Sequence, residues 1–233
     1  MIIHSLRSGA VLAHSGHPQW SFREQPGRWR AWRMRHAPQD QALTLRTRQA
    51  AADFHLPAEL IAGVLADERV RLDLFDFVQD RLVRAALGLP APASGFCLRL
   101  LERGCRRSVE SFSLGLAQMK SGTLTQLEGL GYLQASRSRR DRLRTLLDPA
   151  QAPRLVAGCL RATADHWARH GVNLEQRPEI LATLYSLGLT GSRGVHARPE
   201  ASARGQEIVR HAAWLKWRAE PRIPLRAAVA GAL

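Results

Sequence analysis

Apolar and polar residues follow a helical period from about residue 41 to about residue 218. Apolar positions recur three and four residues apart, and no strand-like alternation lasts longer than four residues. Proline near a start, or glycine or proline after an end, marks the clearest helical stretches. These stretches are 57–70, 72–87, 148–170, 177–187 and 201–218, whereas 90–95 (PAPASG) is predicted to be a loop. The sequence therefore predicts an all-α, or mainly α, fold without an internal repeat.

The chain divides into three parts by composition. Residues 1–40 form a basic N-terminal extension without a clear period, in which Trp20, Trp29 and Trp32 are interleaved with arginines. Such a mixture suits stacking on bases or sugars, a membrane interface, or packing onto the main domain. Residues 41–220 form the predicted helical domain, and the proline-containing residues 221–233 form a C-terminal tail.

The charge of the chain limits its partners. The formal net charge is +14, and nearly all basic residues are arginine, since Lys120 and Lys216 are the two lysines. A charge of this size attracts polyanions, whether nucleic acid, an anionic lipid surface or an anionic cell-wall polymer. Composition alone does not choose among these three classes of partner.

The sequence indicates neither a metal site nor a membrane-spanning segment. Cys97, Cys105 and Cys159 are odd in number and widely spaced, without a CxxC or Cys/His pattern, so we predict reduced thiols and no metal ligands. No run of about 20 apolar residues occurs, and the N-terminus lacks the features of a standard signal peptide. We expect synthesis in the bacterial cytoplasm. If the protein acts elsewhere, we expect a route other than a standard signal peptide to export it.

One carboxylate lies on an apolar helical stripe. Leu60, Val64 and Glu68 are spaced four residues apart, and Leu65 lies three residues before Glu68, in the last turn of a predicted helix. Loss of solvation there disfavours the charged form and raises the pKa, as a general acid requires near neutral pH. The alternative is a glutamate that bends into water at the helix end or pairs with an arginine.

Two further segments combine apolar residues with polar groups that a plain core would not contain. SFSLGLAQMK (111–120) keeps Gly115 and Gln118 among apolar residues, which indicates either an irregular helix start or a backbone shaped to hold a ligand. RPEILATLYSLG (177–188) buries the ring of Tyr185 on a helical face, so the hydroxyl needs a partner. A core tyrosine is the ordinary explanation of the second segment taken alone.

Taken in order, the helix ending in Glu68, the S-x-G-x-x-Q-M segment and the ILATLYSLG helix resemble the lysozyme-like superfamily, in particular bacterial lytic transglycosylases and goose-type lysozymes. The resemblance covers roughly residues 50–210 and implies a lysozyme-like fold in which Glu68 is catalytic. It also implies a glycan-binding cleft lined by Ser113, Gly115, Gln118, Met119 and Tyr185. In such a cleft Gly115 would let the backbone pass close to the sugar, and Gln118 would project its amide opposite Glu68.

Three features depart from the family pattern. Arg69 stands where a serine commonly follows the catalytic glutamate, and Ser186 stands where an asparagine follows the tyrosine. The separation between Glu68 and Gln118 is long for a compact transglycosylase, which implies one or two inserted helices.

The reaction implied by the resemblance is cleavage of the β-1,4 bond between N-acetylmuramic acid and N-acetylglucosamine in peptidoglycan, with Glu68 protonating the leaving oxygen and no metal or organic cofactor. A lytic transglycosylase needs this one carboxylate, because the muramyl 6-hydroxyl is the nucleophile. A hydrolytic muramidase needs a second carboxylate about 6.5–9.5 Å away. Glu110 is the preferred second catalytic residue, whereas Asp73, Asp76 and Asp80 share one helical face and are predicted to be solvated.

Two other functions compete with this one. A basic helical nucleic-acid-binding protein would use the net charge and the Trp/Arg extension, and an inactive lysozyme-like scaffold would bind peptidoglycan without cutting it. For a wall-cutting enzyme without a standard signal peptide we expect delivery to the periplasm or cell wall by a secretion machine, or release during phage lysis. An antibacterial effector of this kind would need an immunity protein as a partner in its producer.

Overall fold

A computed structural model describes residues 41–189, 191 and 194–219 of the chain. The predicted N-terminal extension (1–40) and C-terminal tail (221–233) lie outside these residues. Nine α-helices, a short 3-10 helix and one β-hairpin lie within the described part. In chain order they are α1 (Gln41–Phe54), α2 (Ala58–Arg71), α3 (Leu74–Gly88), α4 (Ala91–Cys105), the 3-10 helix (Val109–Ser111), β1 (Ser113–Leu114), β2 (Met119–Lys120), α5 (Ser121–Gly129), α6 (Arg139–Leu147), α7 (Ala152–Arg169), α8 (Pro178–Leu187) and α9 (Ala203–Ala219).

The ends of the helices carry the signals that predict them. Pro57 directly precedes α2, at a position where a backbone N–H group would have no partner within the helix, so the N–H that proline lacks is not needed. The side chains of Asp73 and Asp76 accept each other's backbone N–H groups in a capping box that starts α3. Gly171 and Gly188 follow α7 and α8 with φ angles of 82° and 96°. The predicted mainly α fold is therefore confirmed.

The loop predicted at 90–95 is wrong, because α4 begins there. Pro90 occupies the cap position and Pro92 lies in the first turn, where the N–H groups have no partner inside the helix. Ser94 and Leu98, four residues apart, then turn to the buried side. Helices α3 and α4 both lie between Glu68 and Gln118, where one or two additional helices were expected.

The segment 111–120 contains a β-hairpin instead of an irregular helix start. The strands are antiparallel, with Ser113 opposite Lys120 and Leu114 opposite Met119. A turn joins them, and α5 follows directly. Strands of this length are too short to show an alternating pattern, which is why no strand is predicted from the sequence.

The core is centred on α7, which packs against α1, α2, α5 and α8. Its buried residues include Val156, Leu160 and Trp167, and the indole N–H of Trp167 donates to the carbonyl oxygen of Leu189 at 2.8 Å. Within the residues that the structure describes, no helix is long and apolar enough to cross a bilayer.

The last helix folds back over an early one. α9 packs along α2 and α8, and glycines permit the close approach. A Cβ at Gly63 of α2 would lie 3.0 Å from the Cβ of Ala212, and a Cβ at Gly205 of α9 would overlap the carbonyl oxygen of Glu179. This packing brings the first turn of α9 against the last turn of α2, where Glu68 lies.

Candidate active site

Glu68 lies in the last turn of α2 with 9% of its surface exposed. Leu60 and Val64, which precede it at four-residue intervals, are buried in the core, in agreement with their spacing. Burial is the main cause that raises the pKa of the Glu68 carboxyl to about 7, and the charge of the neighbouring Asp67 adds to the effect. The carboxyl therefore titrates near neutral pH.

Arg204 contacts this carboxylate from the first turn of α9. Its Nη2 lies 2.6 Å from Glu68 Oε1 and 2.7 Å from Asp67 Oδ2. Arg71 Nε lies 3.0 Å from the same oxygen of Asp67, and the other oxygen of this fully buried aspartate has no hydrogen-bond partner in the described part of the chain. Arg204 lowers the pKa of Glu68, but the effect of burial is larger.

The sequence left open that Glu68 pairs with an arginine, which it does, but it did not identify these three neighbours. Asp67 and Arg71 lie four residues apart on α2, a spacing at which opposite charges pair, and this spacing is the signal that points to them. Arg204 is 136 residues along the chain from Glu68, and nothing in its local sequence marks it. The packing of α9 on α2 brings it to the site.

Tyr185 contacts the hairpin turn. Its hydroxyl donates to the carbonyl oxygen of Ala117, in the hairpin turn, at 2.6 Å. Burial is the main cause that raises the pKa of Tyr185 well above its ordinary value, so the phenol keeps its proton. The helix that carries Tyr185 packs against α2, which carries Glu68. The structure thus joins Tyr185 to the 111–120 segment and packs its helix against the helix of Glu68.

Gly115 is required by the fold of the hairpin. Its φ angle is 67°, and a Cβ at this position would overlap the carbonyl oxygen of Leu146 in α6. Both carboxylate oxygens of Asp80 accept the Gly115 N–H at 3.1 Å. Asp80 is half-buried and its burial raises its pKa, so the solvated position predicted for it is wrong. Asp80 instead holds the hairpin against α3.

The other residues of the hairpin are also engaged within the fold. Gln118 has a φ angle of 47°, and its Nε2 donates to the carbonyl oxygen of Gly115 at 2.8 Å, which closes the turn and differs from the expected projection towards a cleft. Met119 is buried and anchors the second strand, and the Ser113 carbonyl oxygen accepts from Gln79 Nε2 at 3.2 Å. The sequence predicts substrate contacts for five residues, and these contacts stay predictions. The residues are Ser113, Gly115, Gln118, Met119 and Tyr185.

The remaining candidate carboxylates have other partners. Glu110, whose side chain is 51% exposed, lies 3.2 Å from Arg139 Nε, and Arg139 also binds Glu102. Asp73 and Asp76 form the cap of α3. In the described ranges no hydrogen bond or ion pair joins Glu110 to Glu68, and the catalytic role of Glu110 stays a prediction.

The arrangement suits proton transfer by one carboxyl group. Glu68 titrates near neutral pH, and Arg204 can stabilise the carboxylate that remains when the proton leaves. Among the described residues, no group of three or more histidine, cysteine, aspartate or glutamate side chains is placed to hold a metal ion. Comparison of the chain with protein-family models, with curated proteins and with solved structures gives no significant match.

Proposed function

We propose that this chain is a lysozyme-like glycosidase that cleaves the β-1,4 bond between N-acetylmuramic acid and N-acetylglucosamine in peptidoglycan. The observation that carries the proposal is the contact of Tyr185 with the hairpin turn, made from a helix that packs against the helix of a buried Glu68 whose pKa is about 7. These three segments lie far apart in the sequence, and the resemblance to lytic transglycosylases rests on the same three. Their proximity in the fold supports a common site.

Glu68 is the general acid of the proposed reaction. Its protonated carboxyl donates to the glycosidic oxygen as the bond from that oxygen to the muramyl C1 breaks, and the leaving N-acetylglucosamine takes the proton. A pKa of about 7 keeps much of the Glu68 population protonated in mildly acidic and neutral solution. Arg204, 2.6 Å away, stabilises the carboxylate formed in this step.

A lytic transglycosylase route fits the described carboxylates better than hydrolysis does. In this route the Glu68 carboxylate takes the proton of the muramyl 6-hydroxyl, whose oxygen bonds to C1 and closes the anhydro ring. Hydrolysis would need a second carboxylate to activate water. Asp80 binds the hairpin backbone, Glu110 pairs with an arginine on the surface, and Asp67 is fully buried. Contacts or burial engage all three, as Arg204 engages Glu68, and the transglycosylase route needs no carboxylate besides Glu68.

The charge of the chain suits this substrate and this place of action. Peptidoglycan carries the carboxylates of its peptide stems, and a net charge of +14 attracts them. Action in the periplasm or on the cell wall, and protection of a producer cell by an immunity protein, belong to the same proposal.

Digestion of purified sacculi tests the proposal. The full chain and the variants Glu68→Gln, Glu110→Gln and Glu175→Gln are incubated with sacculi, and the soluble muropeptides are identified by mass spectrometry. Glu175 is an exposed glutamate 3.5 Å from Arg161, so its variant is the matched control. We expect anhydro-muramyl products from the full chain, Glu110→Gln and Glu175→Gln, and none above background from Glu68→Gln.

Each other outcome has a defined meaning. Products with reducing muramyl ends would show that the enzyme is a muramidase and not a transglycosylase. Loss of muropeptide release in Glu110→Gln would then identify Glu110 as the second carboxylate. Binding to sacculi without release of muropeptides would favour the non-catalytic scaffold. Tight binding to nucleic acid without binding to sacculi would favour the nucleic-acid-binding protein. Full activity of Glu68→Gln would remove Glu68 from the site.

A further inference from the structure

Helices α3 and α4 carry an apolar surface on their outer sides. α3 buries Val83 and Leu87 against the domain, yet the face that it turns to solvent is also apolar. Eight exposed side chains on α3, on α4 and in the connection between them form what we call the α3–α4 outer face. They are Leu74, Phe75, Phe77, Val78, Leu82, Leu89, Phe96 and Leu100.

This outer face departs from an ordinary protein surface. Single exposed apolar residues are normal, but eight of the eleven large apolar side chains that are exposed in the described part belong to this face. Leu74, Val78 and Leu82 are spaced four residues apart, so they form a continuous stripe along α3. Phe96 and Leu100 repeat that spacing on α4, which packs against α3.

Arginines border the outer face. An open pocket of about 430 Å³ at the end of α4 is lined by four of them, Arg99, Arg103, Arg106 and Arg107. In the described part of the chain no ion pair engages Arg99, Arg103 or Arg106, whereas Glu102, the acidic residue of the same pocket, is already bonded to an arginine of α6. The pocket therefore presents an excess of positive charge, because its four arginines outnumber its one glutamate.

We propose that the α3–α4 outer face docks on the surface of an anionic phospholipid bilayer. The leucine and phenylalanine side chains enter the boundary between headgroups and acyl chains, and the pocket arginines bind lipid phosphates. A helix with Phe and Leu on one side and Arg beside them has the composition of a segment that lies in this interface. The proposal does not depend on glycan cleavage, because Glu68 is not part of the face.

A bilayer fits this face better than a second copy of the chain does. A two-fold interface places the same patch on both partners, so the unpaired arginines of one pocket would approach those of the other. Like charges in a contact oppose it. Lipid phosphates instead supply the missing negative charge, and acyl chains accept an apolar stripe without a complementary shape.

Sedimentation of the full chain with lipid vesicles tests the proposal. Vesicles of phosphatidylcholine are compared with vesicles of phosphatidylcholine and phosphatidylglycerol at low salt. The apolar variant is Leu74→Ser with Leu82→Ser, whose residues are 78% and 48% exposed. Its control is Leu45→Ser on α1 with Leu130→Ser directly after α5, whose residues are 57% and 48% exposed.

The arginine pocket is tested by a second pair of variants. The charge variant is Arg99→Gln with Arg103→Gln, and its control, Arg198→Gln with Arg210→Gln, removes the same charge from exposed positions elsewhere. Thermal unfolding verifies that every variant is folded.

We expect the full chain to sediment with the anionic vesicles and much less with phosphatidylcholine. The apolar variant should bind the anionic vesicles at least about tenfold more weakly than the full chain does. The charge variant should lose most of the preference for anionic lipid. Both controls should bind like the full chain. Absence of vesicle binding, or binding that both variants retain, would overturn the proposal. A dimer in sedimentation velocity that the apolar variant dissociates would overturn it in favour of a second copy.

Discussion

At the scale of single residues, the site depends on two opposing effects on the pKa of Glu68. Burial raises it, and the guanidinium of Arg204 lowers it, so that the carboxyl titrates at about 7. The first effect is predictable from the sequence, because Leu60 and Val64 place Glu68 on the apolar stripe of its helix. The second is not, because Arg204 comes from a distant helix.

Neutralising Arg204 should move the pH dependence of cleavage. Without the positive charge, the pKa of Glu68 rises further, and a general acid stays protonated to higher pH. The rate of muropeptide release falls at alkaline pH as the general acid loses its proton. We expect this alkaline limb of the pH–rate profile to shift to higher pH in Arg204→Gln. The measurement is the rate of release from sacculi across the pH range.

A control on the same helix separates this effect from a general loss of charge. Arg210→Gln changes an exposed arginine of α9 and should leave the limb in place. A limb that moves to lower pH in Arg204→Gln, or does not move, would contradict an action of Arg204 on the proposed general acid.

The raised pKa of Glu68 also predicts a pH-dependent stability. The native carboxyl, with a pKa of about 7, holds its proton more tightly than the unfolded one at 4.5, so this contribution is complete below about pH 4.5 and is lost as pH rises through about 7. Relative to Glu68→Gln, the full chain should lose up to about 3 kcal/mol of unfolding free energy between about pH 4 and pH 8. Urea unfolding at both pH values measures it, and an unchanged difference between the two proteins would contradict a pKa near 7.

At the scale of elements, the helices were more predictable than the hairpin. Periodicity and end signals identify α2, α3, α7, α8 and α9, because each carries several turns of apolar spacing. The proline-rich start of α4 is misleading, since prolines that mark a loop are also tolerated in a first helical turn. The hairpin strands are too short for any periodicity, and the tertiary contacts of Gly115 with Asp80 and Leu146 specify them instead.

Gly115→Ala should destabilise the fold strongly. The positive φ angle at this position is unfavourable for alanine, and the added Cβ would overlap the backbone of α6. We expect the free energy of unfolding to fall by about 3–5 kcal/mol. Gly131→Ala is the matched control, because Gly131 has a φ angle of 80° but open space around it, and it should lose about 1 kcal/mol. Urea unfolding measures both, and equal losses would contradict the close contact of Gly115 with α6.

At the scale of the whole molecule, the return of α9 onto α2 assembles the site. Gly63 and Gly205 let the helices approach closely, and this approach carries Arg204 to Glu68. Such a long-range packing follows from no local pattern, so sequence reasoning found Glu68, Tyr185 and the 111–120 segment as separate features. Their resemblance to lytic transglycosylases predicted that they meet; in the fold a hydrogen bond joins Tyr185 to the hairpin turn, and α8 packs against α2.

The measurement that tests the central claim most directly is the rate of muropeptide release from sacculi by the full chain and by Glu68→Gln at about pH 6, where Glu68 is mostly protonated. Both proteins are first shown to be folded, and Glu175→Gln is measured beside them. We predict anhydro-muramyl products from the full chain and from the control, with a rate at least about 100-fold lower in Glu68→Gln. A rate in Glu68→Gln within a few-fold of that of the full chain, or no release by the full chain, would contradict the account.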